Sequence, residues 1–341
     1  MSLIRSYQDP FQVVDRTQGL LVVPNQYGKI QQMGLFSTEG IVTDTVTFEE
    51  SNSTIALVDD RMRGDRGQVG KDEVRKLRSY TVAHFPYDDA IFPKDIKGKS
   101  AYGSDGVHER VDAVMMRRSE RIRKSLAQTL EFARVRTLVT GDVYSPRGTI
   151  QGNFYNDFGI TREEVPFDLS NNATEVLLKQ EQVIAHIQDN AFTGDVINEV
   201  VALCSPEFMN ALLTQAGVKE AYKFYTSTQE PLRNRQGGMG LDREFVHGNV
   251  RYIEYRAQVN GVPFIPAGEA YFLPMGTTDT FITYFAPAER FDMLDALGEE
   301  AYLFTKYDDV GQQIKLMAES NFLNVIRRPQ LVVRAVAGAS V

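Results

Sequence analysis

The longest unbroken pattern in the chain runs from Val107 to Val139. Its apolar positions are Val111, Val114, Met115, Ile122, Leu126, Leu130 and Ala133. They recur mostly three or four residues apart, the spacing of one buried helical face. No Pro or Gly interrupts them. The remaining faces carry Arg110, Arg117, Arg118, Arg121, Arg123, Lys124, Arg134 and Arg136. At 1.5 Å per residue the rod is about 50 Å long, against a usual helix of about three turns. Such a length suits an extended tile better than a compact enzyme. Ser104 or Asp105 is placed to cap its start, and Gly141 to end it.

Elsewhere the pattern predicts strands and short helices. Val42, Val46 and Phe48 share one face of a strand over Ile41–Glu49, with Asp44 the polar exception and Thr43, Thr45 and Thr47 opposite. Further β-prone runs are Thr54–Val58 and Tyr80–Phe85. Between those two, Asp59–Arg78 is glycine-rich and densely charged. Two strands around a polar tip predict a protruding hairpin. With almost nothing apolar to pack on its own body, the tip is either a mobile loop or an arm ordered by a neighbouring chain, and the second reading is preferred. Thr149–Phe158 reads as a short hairpin. Ala173–Asn190 reads as an amphipathic helix with Val176, Leu177, Gln180, Val183, Ile184 and Ile187 on one face. Val196–Leu203 reads as a mostly apolar strand, followed by Ser205-Pro206-Glu207, a cap and first-turn proline that open a helix to about Gln215. Residues 226–240 form a second polar loop. Phe245–Tyr255 and Gly268–Leu273 read as strands with Asn260-Gly261 as a turn between them. The tail alternates at Ile314, Leu316 and Ala318, then at Leu331, Val333 and Ala335, and these strands complete a sheet begun earlier.

Composition narrows the function. The 341 residues are 43% hydrophobic and 24% charged, an ordinary globular balance. The net charge of −8 argues against a general nucleic-acid binder while leaving room for a basic stripe on one face. The lone Cys204 sits in an apolar stretch, reads as a core residue, and allows no disulfide framework, which fits a reducing cytoplasm. No segment has the length of a membrane span or the apolar core of a signal peptide.

Catalytic and metal motifs are missing. His84, His108, His186 and His247 stand at no metal-ligand spacing, so neither metal nor cofactor is expected. Gly237-Gly238-Met239-Gly240 has no following Lys-Ser/Thr and reads as a flexible loop, not a phosphate cradle. The doublets Asp59-Asp60, Asp88-Asp89, Glu299-Glu300 and Asp308-Asp309 read as solvated turns, since adjacent strand residues point to opposite faces. The arginine face of the long helix suits either carboxylates of the same or the next subunit or, less favoured, nucleic acid.

The order of elements is specific: N-terminal arm, charged hairpin, long helix, short hairpin, α/β subdomain with a polar tip, return strands. It resembles the major capsid proteins of tailed bacteriophages, an α+β class with the Hong Kong 97 fold, and within them the lambda-like branch. Pro24-Asn25-Gln26-Tyr27-Gly28 through Met33-Gly34-Leu35-Phe36 resembles the stretch before the family's hairpin. Phe85-Pro86-Tyr87-Asp88-Asp89 resembles its close, and Ser205-Pro206-Glu207-Phe208 a strand-to-helix corner. Tyr252–Val262, Phe272-Leu273-Pro274 and Tyr302–Leu331 resemble later parts, so the likeness covers nearly the whole chain.

The resemblance implies an N-terminal arm at 1–45, an extended loop at 46–90 and a peripheral domain with a spine helix at 91–171. It further implies an axial domain at 172–270 and return strands at 271–341. It implies a non-enzymatic shell subunit forming hexamers and pentamers around double-stranded DNA, assembled in the host cytoplasm and ending in the virion. Scaffold, portal and decoration proteins are the implied partners; no membrane is. The arm is short, which fits a mature form or a separate scaffold. Lys71 and Lys76 lie near the hairpin, but no crosslinking partner can be named, and no crosslink is expected. The contact residues expected between subunits are Arg61, Arg63, Arg66, Lys71 and Arg75, with Arg233, Asn234 and Arg235 on the axial loop. The rival reading is an encapsulin-like cellular compartment. An unrecognised enzyme would need a convergent polar pocket, for which the sequence gives no sign.

Overall fold

Alternation along single strands decides how this chain is layered. The computed structural model describes residues 13–15, 28–51, 75–96, 107–144, 149–191, 197–219, 243–259, 261–277, 279–308 and 311–338. In chain order the first part contains β1 (Val13–Asp15), α1 (Lys29–Met33), β2 (Ser37–Gly40), β3 (Thr45–Ser51), β4 (Arg75–Thr81), β5 (Ala83–Ile91) and α2 (Pro93–Ile96). The long helix α3 (Val107–Thr140) follows, then β6 (Asp142–Tyr144), β7 (Ile150–Asn153), α4 (Phe154–Phe158) and β8 (Glu164–Pro166). Next are α5 (Val176–Asn190), β9 (Glu199–Cys204), α6 (Pro206–Thr214), β10 (Glu244–His247) and β11 (Val250–Glu254). The chain ends through β12 (Gln258–Val259), β13 (Val262–Pro263), β14 (Glu269–Met275), β15 (Phe281–Phe285), β16 (Tyr302–Tyr307), β17 (Ile314–Ile326) and β18 (Val333–Val336).

Two six-stranded sheets result. The first has the order β1-β16-β17-β15-β2, with β5 also on β17. Its centre is the 13-residue β17, which pairs with β16 over 314–319, with β5 over 314–322 and with β15 over 322–326. The second is β10-β11-β9-β14-β18-β8, with parallel pairs at β11–β9 and β18–β8. Its central strands β9 and β14 read as near-continuous apolar runs because both faces are covered. Along β9, Val201 and Leu203 enter the core shared with the end of α3, while Val200, Ala202 and Cys204 enter a core under α5 and α6. On β14, Tyr271 and Leu273 divide from Ala270 and Phe272 in the same way.

The helix α3 spans 34 residues, close to the predicted limits. Met115, Ile122 and Leu126 pack on Ile91, Leu303 and Leu316 of the first sheet. Leu130 and Ala133 meet Phe285 and Phe322, and Val135, Leu138 and Val139 enter the core shared with the second sheet. Each fully buried Ile or Leu of this stripe contributes about 1.5–3 kcal/mol. Gly141 terminates the helix at φ +75°, donating to the Thr137 carbonyl at 2.8 Å. The N-cap candidates Ser104 and Asp105 lie outside the described residues. Arg123 and Arg134 are not on an outer face, contrary to the sequence reading: both are buried.

Other readings are corrected too. The first strand of the hairpin is β3, which pairs with β4 from Thr45↔Thr81 to Ser51↔Arg75; Thr54–Val58 lies outside the described residues. Tyr80–Phe85 is not one strand, because the chain leaves β4 after Thr81 and enters β5 at Ala83 in the first sheet. β7 pairs with β6, and Phe154–Phe158 is helical, not the second strand of a hairpin. Asn153 explains this. Its side chain accepts from the Tyr155 and Asn156 amides and donates to the Thr140 carbonyl at 2.8 Å, so it caps α4 and ties it to the end of α3. Phe245–Tyr255 is a hairpin, since Gly248 and Asn249 both take positive φ and turn β10 into β11. Leu177 is exposed on α5. Gly261 has φ +80° between β12 and β13, while Asn260 lies outside the described residues.

Ser205 caps α6, accepting from the Phe208 amide at 3.2 Å and from the Gly268 amide at 2.9 Å. Ser205→Ala is expected to cost about 1–2 kcal/mol in chemical denaturation. Gly298 is a close approach: a Cβ there would lie 1.9 Å from the Phe285 carbonyl oxygen. Gly298→Ala is expected to lose about 1–3 kcal/mol or more, read as a lowered thermal midpoint, because the obstacle is backbone.

Candidate assembly surfaces

The ribbon β3–β4 forms its own two-stranded sheet among the described residues. Its base is fixed by both backbone and rings. The Val82 amide donates to the Asp44 carbonyl at 2.8 Å. Gln151, from β7, clamps Thr81: its Oε1 accepts the Thr81 amide at 2.8 Å and its Nε2 donates to the Thr81 carbonyl at 2.5 Å. Tyr80 donates its hydroxyl to Asp157 at 2.9 Å. Burial, then that carboxylate, pushes the Tyr80 pKa up, so the phenol stays protonated as the donor. The rings of Phe48, Tyr80, Phe154 and Tyr284 pack around the base, with Phe48–Tyr80 and Phe48–Tyr284 centroids 6.0 Å apart. The Arg327 guanidinium lies 6.0 Å over Phe48.

The long helix is tied to the body by polar groups on its buried side. Arg118 donates to both Asp89 oxygens at 2.9 Å and reaches Asp95 at 3.3 Å. Arg123 pairs with Glu300 at 3.0 Å. Arg134, 1% exposed, donates to Thr283 Oγ1 at 3.1 Å and lies over the Phe36 ring. Burial draws its pKa down, against the pull of Glu131 and Glu300. Glu131 accepts the Ile30 amide and the Tyr255 hydroxyl, each at 2.9 Å.

The candidate contact residues do not come together in view. Arg61, Arg63, Arg66 and Lys71 lie outside the described residues, as do Arg233, Asn234 and Arg235 and the loop Gly237–Gly240. Of Arg75 only the backbone is described, at the tip end of β4 opposite Ser51. Two of the acidic doublets are not solvated turns: Asp89 and Glu300 hold arginines of α3 while Asp88 faces outward. Asp308 opens a turn, its carbonyl accepting the Gly311 amide at 2.8 Å, and Asp59, Asp60 and Asp309 lie outside the described residues. Burial raises the Cys204 thiol pKa, which keeps it in the neutral form of a core residue. His84 meets Asn321 at 2.7 Å, His186 meets the Gln330 carbonyl at 3.1 Å and His247 stacks on Phe245. These are three separate places, and no group of metal-binding side chains occurs among the described residues. No described helix is long and apolar enough to cross a membrane.

The sequence reading missed one conspicuous surface. Between β15 and β16, Phe291 is 96% exposed, Leu294 65% and Leu297 67%. The run Phe291-Asp292-Met293-Leu294-Asp295-Ala296-Leu297 carries large apolar residues three apart, but it is too short to register as a helix. On the second sheet's side, Leu177, Leu178 and Val246 are also exposed. Isolated exposed apolar residues are ordinary, whereas large contiguous apolar patches mark contact surfaces.

The family model described as "Phage major capsid protein E" matches residues 14–337. The chain belongs to the phage major capsid protein E family. This capsid protein is 45% identical over 351 residues to the major capsid protein of Pseudomonas phage KPP10, covering 99% of this chain and all of that one. It is 26% identical to the major capsid protein of Salmonella phage Felix O1, covering 99% of each. Its fold matches a protein of an E. coli CFT073 prophage at TM-score 0.53 and 13% identity, covering 89% of each chain. It also matches the mature capsid of bacteriophage PhiM1 at TM-score 0.51 and 12% identity, covering 92% of this chain and 88% of that one. The fold is thus of the Hong Kong 97 type and the protein is a phage shell component.

Proposed function

We propose that this capsid protein closes into hexamers and pentamers around double-stranded DNA, acting by geometry and not by catalysis. The observation that carries the reading is the ribbon β3–β4. It is stapled at its base by Gln151 and an aromatic cluster, yet it pairs with no other strand among the described residues. A rigid base with a charged tip is the shape of an arm laid over a neighbour, and heterologous contacts of this kind close into rings. In this reading residues 1–45 are the N-terminal arm, 46–90 the extended loop and 91–171 the peripheral domain with α3 as spine. Residues 172–270 gather around the ring axis, and 271–341 return to both domains. Arg61, Arg63, Arg66, Lys71 and Arg75 reach carboxylates next door, as do Arg233, Asn234 and Arg235 around the axis. Assembly takes place in the host cytoplasm, with scaffold, portal and decoration proteins as partners. The test is the content of particles made in infected cells. Nuclease-protected double-stranded DNA together with a portal is expected; an enclosed folded enzyme in place of DNA would favour a cellular compartment and overturn the reading.

A further inference from the structure

The described arginines on the buried side of α3 have all found partners, and three cations on its outer side have not. Residues 107–128 hold six Arg or Lys against three Asp or Glu, inside a chain of net charge −8. Arg118 pairs with Asp89 and Arg123 with Glu300. Arg117, Arg121 and Lys124 form no ion pair among the described residues, and Arg117 donates only to the Ala113 carbonyl of its own helix. An acidic protein has carboxylates to spare, so cations left facing solvent in one row call for an external anion.

The row is regular. At about 100° per residue, positions 117, 121, 124 and 128 fall within roughly 60° of one another, and the three cations span about 10 Å along the axis. They line one shallow groove with Glu120, Ser125 and Gln128. That lining is charged and hydrogen-bonding, whereas the centre of a protein–protein contact is apolar and, arginine apart, depleted in charge. Phosphates of one DNA strand recur every 3.4 Å of helix axis, so about three fall within the row.

Resting on the shell reading above, we propose that the Arg117–Arg121–Lys124 face of α3 is turned to the packaged duplex and contacts its phosphate backbone without reading sequence. Three contacts make a weak, salt-screened hold, and Glu120 in the same groove weakens it further. Such a hold permits filling and release. Three neutralised phosphates give a log–log salt slope of about −2.7, a loss of roughly 40-fold between 50 and 200 mM salt.

The test uses DNA-filled heads carrying the photo-crosslinking residue p-benzoylphenylalanine in place of Gln128. Irradiation followed by nuclease digestion is expected to leave a nucleotide adduct on the capsid protein. A crosslink to a second protein chain instead, or heads with no adduct, would overturn the proposal. A companion variant, Arg117→Gln with Arg121→Gln and Lys124→Gln, is expected to form heads in normal yield. Its full-length chain is expected to bind a labelled 30-base-pair duplex at least tenfold more weakly, with a flattened salt slope. Reduced head yield with unchanged duplex binding would make the row a protein contact. Absence of heads from the unaltered chain would count against the shell reading itself, whereas heads without a DNA adduct would count against the row alone.

Discussion

Glu131→Ala is expected to cost about 3–5 kcal/mol of folding stability, the range for breaking a buried charged network. One oxygen of this carboxylate holds three segments together: α3 itself, the Ile30 amide of α1 and the Tyr255 hydroxyl just past β11. All three residues are buried. Burial pushes the Tyr255 pKa up, and Glu131 pushes it further, so the phenol stays protonated and donates. Truncation leaves that hydroxyl and the Ile30 amide without their acceptor, in a place where an unmade hydrogen bond costs about 1–3 kcal/mol. It also removes one of the two carboxylates that support the buried Arg134 charge. Glu131→Gln keeps an acceptor and loses less. Urea unfolding of unassembled chain, followed by tyrosine fluorescence, is the measurement; the chain has 15 Tyr and no Trp. An alanine variant within about 0.5 kcal/mol of the parent, the scale of a surface substitution, would show that the network is not what joins these segments.

Arg63→Glu combined with Arg66→Glu is expected to leave the chain folded and to reduce particle yield at least tenfold. Both positions belong to the segment between Ser51 and Arg75, where β3 and β4 end. The packing that anchors the ribbon lies at its other end, around Phe48, Tyr80 and Gln151. Charge reversal at the tip therefore acts on what the tip meets. Like charges set against each other across a contact cost several kcal/mol, and a shell repeats each contact many times. Yield by sedimentation, with circular dichroism as the folding control, decides the matter. Unchanged yield would show that the hairpin arginines make no contact that assembly needs.

Much of the fold was legible where one physical rule acted alone. The unbroken apolar stripe of α3, the Gly141 stop and the Ser205-Pro206 corner all stand where periodicity and capping place them. The errors arose where residue type and geometry disagreed. Arg123 and Arg134 are eleven residues apart, within about 20° on a helix, and that angle belongs to the buried stripe. Charge suggested solvent, but Glu300, Glu131 and Thr283 receive them instead. Phe154–Phe158 looks like a strand by its aromatics, and the Asn153 cap together with the left-handed Gly159 stop makes it a helix. Gly248-Asn249 passed unnoticed as a turn because apolar residues flank it on both sides. Partners more than a hundred residues apart, such as Glu131 with Ile30 and Tyr255, leave no local trace. Nor does the exposure of Phe291, Leu294 and Leu297, which is set by the tertiary fold.

The central claim is self-assembly, and it is tested most directly by size-exclusion chromatography of the purified chain with electron microscopy of each peak. Shells, tubes or six-fold rings are expected, either from the chain alone or on co-expression with candidate scaffolds. A clean monomer or dimer at high concentration, unchanged by co-expression with candidate scaffolds, would contradict the account.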